Sequence, residues 1–296
     1  MTMPNFLVIG AAKAGTTALY AYLKQHPDIY LTPFKETKFF AYEGEEVVYG
    51  GPGDAANNSR LVNSLADYEA LFEGVKEQKA IGEISPLYIY IPKSLERIKR
   101  HVPRAQLFCI LRNPVDRAYS AFLHLIRDGR ETVADFGESL RLESQRLRDN
   151  YAPLWFYRDL GFYHRQLKPY FDAFSRDQLH VSLYEDFDTD PVRFVQEMCR
   201  KLGVDDTFVP DVSRKWNVSG VPKNNAVHRV LSGNNMLTAV LDRIPGGQWV
   251  RSKLRYANLA KPPLEAEIRQ ELIETFRQDI LQLQDLLGRD LSKWLK

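Results

Sequence analysis

Lys13 lies in the run Gly10-Ala11-Ala12-Lys13-Ala14-Gly15-Thr16-Thr17, one ammonium among small residues with two hydroxyls following. These are the parts of an anion cradle. Glycines let the backbone turn tightly, and unpaired N–H groups at a helix start present positive charge to a ligand. In nucleotide triphosphatases the lysine directly follows the last glycine and precedes Ser or Thr. Here Thr16 follows Gly15, and the lysine comes two residues before that glycine. The spacing predicts a phosphate-like anion on Lys13, Ala14, Gly15, Thr16 and Thr17, held differently from a triphosphate. On this stretch alone, an ordinary strand-to-helix turn is the competing description.

Arg112 and Ser120 form a second set, in Leu111-Arg112-Asn113-Pro114-Val115-Asp116-Arg117-Ala118-Tyr119-Ser120. A guanidinium and a hydroxyl suit another phosphate through charge-assisted hydrogen bonds. Glu36 is the third feature, between Lys35 and Lys38 and flanked by Phe34, Phe39 and Phe40. A carboxylate held by lysines beside an anionic ligand can take the proton of a hydroxyl. On composition alone, a solvated charge cluster is the better description there. His124, one turn past Ser120, is a second candidate base. No His, Cys or Asp cluster has metal-ligand spacing, so no metal is implied.

These residues need a scaffold that brings them to one edge. Short β-rich runs at 6–9, 80–84, 106–111 and 178–183 alternate with longer amphipathic stretches. That alternation is the pattern of a parallel sheet flanked by helices. Helical patterns cover 16–25, 64–72, 93–101, 115–127, 136–148, 161–174, 191–202 and 264–287. Leu272, Phe276, Ile280, Leu283 and Leu287 make one stripe on the last. Ligands of open parallel sheets bind at the carboxyl ends of the strands, which puts Arg112 and the Lys13 loop at the same edge. Residues 44–60 read as a surface excursion. Residues 211–263, rich in Asn, Gly, Pro and basic side chains, read as an irregular lid or substrate loop. The expected layout is a single P-loop-like α/β domain: a cofactor-binding core over 4–210, that loop over 211–263, and a C-terminal helix over 264–294.

Bulk properties fit a globular chain: 296 residues, 44% hydrophobic and 26% charged. A net charge of +2 gives no reason to expect a nucleic-acid partner. Cys109 and Cys199 are too few for a disulfide framework and read as buried thiols of a reducing compartment. No stretch approaches a membrane span or a signal peptide, so a cytoplasmic enzyme is expected, free-standing or part of a longer polypeptide.

Four motifs occur in order: Lys13-Ala-Gly-Thr-Thr, Lys35-Glu36-Thr-Lys-Phe-Phe, Gly82-Glu83-Ile-Ser85-Pro86 and Leu111-Arg112-Asn-Pro114-x-x-Arg117-x-x-Ser120. Together they resemble the PAPS-dependent sulfotransferases, in the branch that holds heparan sulfate sulfotransferases and many bacterial enzymes. Gly161-Phe-Tyr163-x-x-Gln166-Leu167 and Leu286-Leu287-Gly288-Arg289-Asp290-Leu291-x-x-Trp294 are similar to later landmarks of that branch. The resemblance implies that Lys13, Gly15, Thr16 and Thr17 form the 5′-phosphosulfate loop. It implies that Arg112 and Ser120 hold the 3′-phosphate and that Glu36 stands at the catalytic base. Two departures bear on glycan recognition: Lys38 replaces a histidine and Ile84 replaces a lysine. The late basic loop that covers the cofactor in those relatives has Asn217 and Lys223 as its candidates here.

Sulfuryl transfer resembles phosphoryl transfer, with attacking and leaving oxygens in line, so positioning and charge stabilisation do most of the work. The expected activity is O-sulfation of a hydroxyl, leaving PAP as product. Glycans, lipids, carrier-bound polyketide intermediates, phenols and protein tyrosine all remain acceptor candidates. The alternatives are an atypical ATP-dependent small-molecule kinase and a non-catalytic nucleotide-binding module. Acceptor choice is expected in the segments 42–60, 127–133 and 211–263.

Overall fold

A computed structural model describes residues 2–58, 61–214, 220–232, 238, 243–244 and 247–296. Strand β1, Phe6–Gly10, is buried along its whole length, as a strand covered by helices on both faces must be. It pairs with β3, Ala80–Ile84, on one side and β4, Gln106–Leu111, on the other. The short β2, Ile29–Leu31, lies outside β3, and β5, Leu179–Leu183, lies outside β4. Every pairing is parallel and the order is β2-β3-β1-β4-β5. The chain passes from β3 to β4 across the central β1. The crevice of such a sheet therefore opens at the carboxyl end of β1.

Packing fixes this arrangement locally. Phe6 sits in register with Gly82, and a Cβ there would lie 2.1 Å from the Phe6 ring, so only glycine fits. The helix Pro114–Arg127 begins with Pro114 in its first turn, where the missing N–H costs nothing. Asn113 caps it, its Oδ1 accepting from Val115 N at 2.9 Å. The C-terminal helix Ala266–Leu287 buries Leu272, Ile273, Phe276, Ile280 and Leu283 along the expected stripe. Cys109 and Cys199 are buried free thiols. Among the described residues no helix is long and apolar enough to cross a membrane.

The structure departs from the sequence pattern in four places. β2 has three residues, too few for a periodic signal. The 136–148 helix is two helices, Phe136–Arg141 and Glu143–Arg148, and at the break Glu143 turns inward to accept the backbone N–H groups of Arg158 and Asp159 at 2.7 and 2.8 Å. The 44–60 excursion is anchored, with Asp54 fully buried. The 211–263 segment is not wholly irregular. It contains the helices Asn225–Ser232 and Gly247–Ala257 and an antiparallel pair, β6 (Val221–Pro222) with β7 (Leu259–Ala260). The first of these helices docks through His228 and Leu231, three residues apart, and His228 Nε2 donates to Arg127 O at 2.8 Å.

Candidate active site

The loop after β1 turns through Lys13 in the left-handed region (φ 72°) and Gly15 (φ 83°) into the helix Thr16–Leu23. A side chain on Gly15 would meet the Phe187 ring at 2.9 Å, so the close approach and the backbone angle both demand glycine. No side chain caps this helix, and its start faces a cleft of about 670 Å³ at the carboxyl edge of the sheet. Lys13, Gly15, Thr16, Thr17, Glu36, Arg112, Ser120 and His124 all line that cleft. Arg112 leaves the end of β4 and donates from Nη1 to Lys13 O at 3.2 Å, tying the two loops together. Its guanidinium lies 4.7 Å from the centroid of the Tyr184 ring. Arg117 of the same motif points elsewhere. It is fully buried and donates to Tyr157 O, a structural tie under the cleft.

Glu36 sits in a tight turn anchored to the sheet, its N–H donating to Ile84 O at 3.0 Å. Below the turn, the buried Glu83 accepts hydroxyl hydrogens from Thr37 (2.8 Å), Tyr88 (2.7 Å), Tyr68 (3.2 Å) and Ser85. Three of those oxygens also accept from the turn's backbone. Lys38 N donates to Ser85 Oγ at 3.1 Å, Phe39 N to Thr37 Oγ1 at 3.3 Å, and Phe40 N to Tyr88 OH at 3.3 Å. Of the four non-glycine residues with positive φ among the described residues, Lys13, Glu36 and Lys38 line the cleft. Such angles persist only where surrounding bonds enforce them, and they gather at functional sites.

Among the described residues, six Lys and Arg side chains and three carboxylates line the cleft. Burial, then Arg127, Arg112 and Lys35, draw the Lys13 pKa down to about 7, against a smaller opposing pull from Asp128. Its ammonium makes no hydrogen bond or ion pair among the described residues. Burial alone would raise Glu36, but the ion pair with Lys35 and the field of Lys38 hold it at about 2. His124 is held neutral, its pKa lowered to about 3 by burial and by Lys13 and Arg127. Its Nδ1 accepts from Arg127 Nη2 at 2.9 Å, and its Nε2 lies 3.3 Å from Asp128 Oδ2. Both ring nitrogens are engaged.

Beside the cleft, Asp54 gathers two segments. It pairs with Arg130 and accepts from Ala152 N (2.8 Å), Gly51 N (3.1 Å) and Trp155 Nε1 (3.3 Å). Arg130 Nε also donates to Pro52 O at 2.9 Å. Tyr49, Ala152, Pro153 and Leu154 line the cleft beside this clamp. Lys223 is not brought to the cleft: its Nζ donates to Ala257 O at 2.9 Å, while Lys261 from the same segment lines the site. Asn217 lies outside the described residues. Tyr184 and Phe187, which the sequence reading missed, follow β5 directly; the strand-end rule that placed Arg112 applies to them equally.

The sulfotransferase family model matches residues 4–208, more than half of the chain. The chain belongs to the sulfotransferase family. A crystal structure of a sulfotransferase from Alicyclobacillus acidocaldarius aligns over 100% of both chains, with a TM-score of 0.79 and 37% identity. The chain is 25% identical over 317 residues to the bifunctional heparan sulfate N-deacetylase/N-sulfotransferase 4 of Mus musculus, covering 99% of this chain and 31% of that protein. It is 34% identical over 125 residues to the membrane-associated sulfotransferase kil1 of Dictyostelium discoideum, covering 41% of this chain and 23% of that one. It therefore spans less than a third of these curated relatives. Sulfuryl transfer from PAPS is the general reaction of sulfotransferases, and the parallel sheet with its cationic edge is the scaffold on which this one is built.

Proposed function

We propose that this sulfotransferase binds PAPS across the cleft and transfers its sulfuryl group to an acceptor hydroxyl. One observation carries the reading. Lys13 and Arg112 converge on an uncapped helix start, and neither is paired with a carboxylate among the described residues. Two such cations, each facing the same space, fit a ligand with two separated anionic groups. Lys13, Ala14, Gly15, Thr16 and Thr17 would hold the 5′ end, and Arg112 with Ser120 the 3′-phosphate. When bound, PAPS supplies an activated sulfuryl group and a phosphate leaving group.

The chain's own groups supply the rest. Lys13 is poised to neutralise charge that develops on the leaving oxygen, a contribution of roughly 3–4 kcal/mol for a preorganised donor. Glu36 accepts the acceptor's proton. Its low pKa in the unliganded cleft arises from neighbouring lysines, so an anion that neutralises them raises its basicity where the proton must go. His124 serves as a wall of the site, oriented by Arg127 and Asp128. The buried thiols support a reducing, cytoplasmic setting.

Calorimetry tests the cofactor assignment. PAP should bind at least about tenfold more tightly than 5′-AMP or ATP, and Arg112→Ala should erase the margin over 5′-AMP. Equal affinities in the unmodified protein would sink the reading. For the base, Glu36→Gln should lower labelled-sulfate transfer by about 10²–10⁴-fold while PAP affinity holds or rises; retained transfer would move the role to another group.

A further inference from the structure

The cleft contains a buried cation with no hydrogen-bonded or ion-paired carboxylate of its own among the described residues. Lys38 is 8% exposed and lines the cleft. Its ammonium makes no hydrogen bond or ion pair among the described residues; only its backbone N–H is engaged, by Ser85 Oγ. The carboxylates that act on it are already paired: Glu36 with Lys35, and Asp54 with Arg130. Glu36 and Asp54 favour its ammonium, and Lys35 and Arg130 oppose it. Its backbone is held at φ 58° by the hydroxyls around Glu83, which fixes where the side chain enters the cleft. A buried ammonium with no partner of its own is costly and has the form of a site awaiting its counter-ion. The cofactor's anionic groups are matched by Lys13 and Arg112 on the other side.

We propose that Lys38 forms an anion subsite for the acceptor, taking a single carboxylate or phosphate on a molecule whose body is otherwise apolar. The remaining walls support the second half of that statement: Pro86, Leu87, Pro153 and Leu154 line the same cleft. The Arg130 guanidinium is compensated by Asp54 and the Lys35 ammonium by Glu36, so the two cations that act on Lys38 form no row of free charges with it. A row is what a long polyanion would need. The inference rests on the sulfotransferase reading, since it assigns the half of the cleft left for the acceptor.

The test uses the full chain loaded with PAP, titrated with decanoate, decyl phosphate and decanamide. These share one apolar chain and differ at the head. At least one charged probe should bind about tenfold or more tightly than decanamide. The stronger of the two identifies the head group as carboxylate or phosphate. Lys38→Met should remove the preference and Lys38→Arg should restore it, with PAP affinity the same in all three proteins, which also verifies their folding. Equal binding of charged and neutral probes by the unmodified protein, no binding of any probe, or a preference that survives Lys38→Met would each overturn the subsite. Tighter binding of heparosan, a carboxylate-bearing polysaccharide, than of either charged probe would overturn the apolar-body assignment. Failure of the unmodified protein to bind PAP would instead count against the sulfotransferase reading itself.

Discussion

Lys13 shows how a buried charge strains the fold that holds it. Its pKa falls from 10.5 to about 7 in the unliganded protein. Between those values the unfolded chain binds more protons than the native one, so this residue's contribution to stability rises with pH across that window. At and below pH 7 its full penalty is present. Lys13→Met should therefore raise the Tm of the unliganded protein at pH 7, by roughly 2–4 °C for each ~1 kcal/mol relieved. The same variant should lose about 10²–10³-fold in turnover. A lower Tm would show that the ammonium is not strained. A bound dianion reverses the balance and draws a proton onto Lys13. PAP affinity should then fall as pH rises from 7 toward 9, and a flat calorimetric profile would contradict the linkage.

At the scale of elements, the turn carrying Glu36 and Lys38 depends on Glu83 at the end of β3. Four hydroxyls donate to one carboxylate, and three of them receive the turn's N–H groups. Glu83→Gln places an amide donor against hydroxyl donors, and a buried network broken in this way costs about 3 kcal/mol. Denaturant unfolding should show that loss. In the folded fraction kcat should drop while PAP affinity persists, because the Lys13 loop hangs from β1. Much of this arrangement was legible beforehand. Strands β1 and β4 announce themselves as near-continuous apolar runs and β3 and β5 as short β-rich ones, and Pro114 marks its helix start. Lys13, Arg112 and Ser120 follow from strand-end position. The Glu83 node was hidden because its donors are scattered between positions 37 and 88, and only the β3 pairing brings them together. The helices within 211–263 were masked by the Asn, Gly and Pro residues around them.

Across the whole molecule, charge is unevenly spread. The chain carries +2 overall, yet residues 211–263 hold nine Lys or Arg and two Asp. Lys261 of this segment reaches the cleft. A positive surface beside a cationic cleft accelerates the approach of an anion, and salt screens it over about 8–10 Å. The association rate of PAP should therefore fall about tenfold or more between 20 and 500 mM salt, measured by stopped flow, with a smaller change in dissociation. An unchanged association rate would remove any steering role for the segment. The Asp54–Arg130 clamp has a consequence for descent. Two loops beside the cleft share one buried carboxylate, so a change in either alone strands a charge in the other. Positions 54 and 130 should covary among homologues, and an acceptor range borrowed from one of them would have to be transplanted as a two-loop cassette.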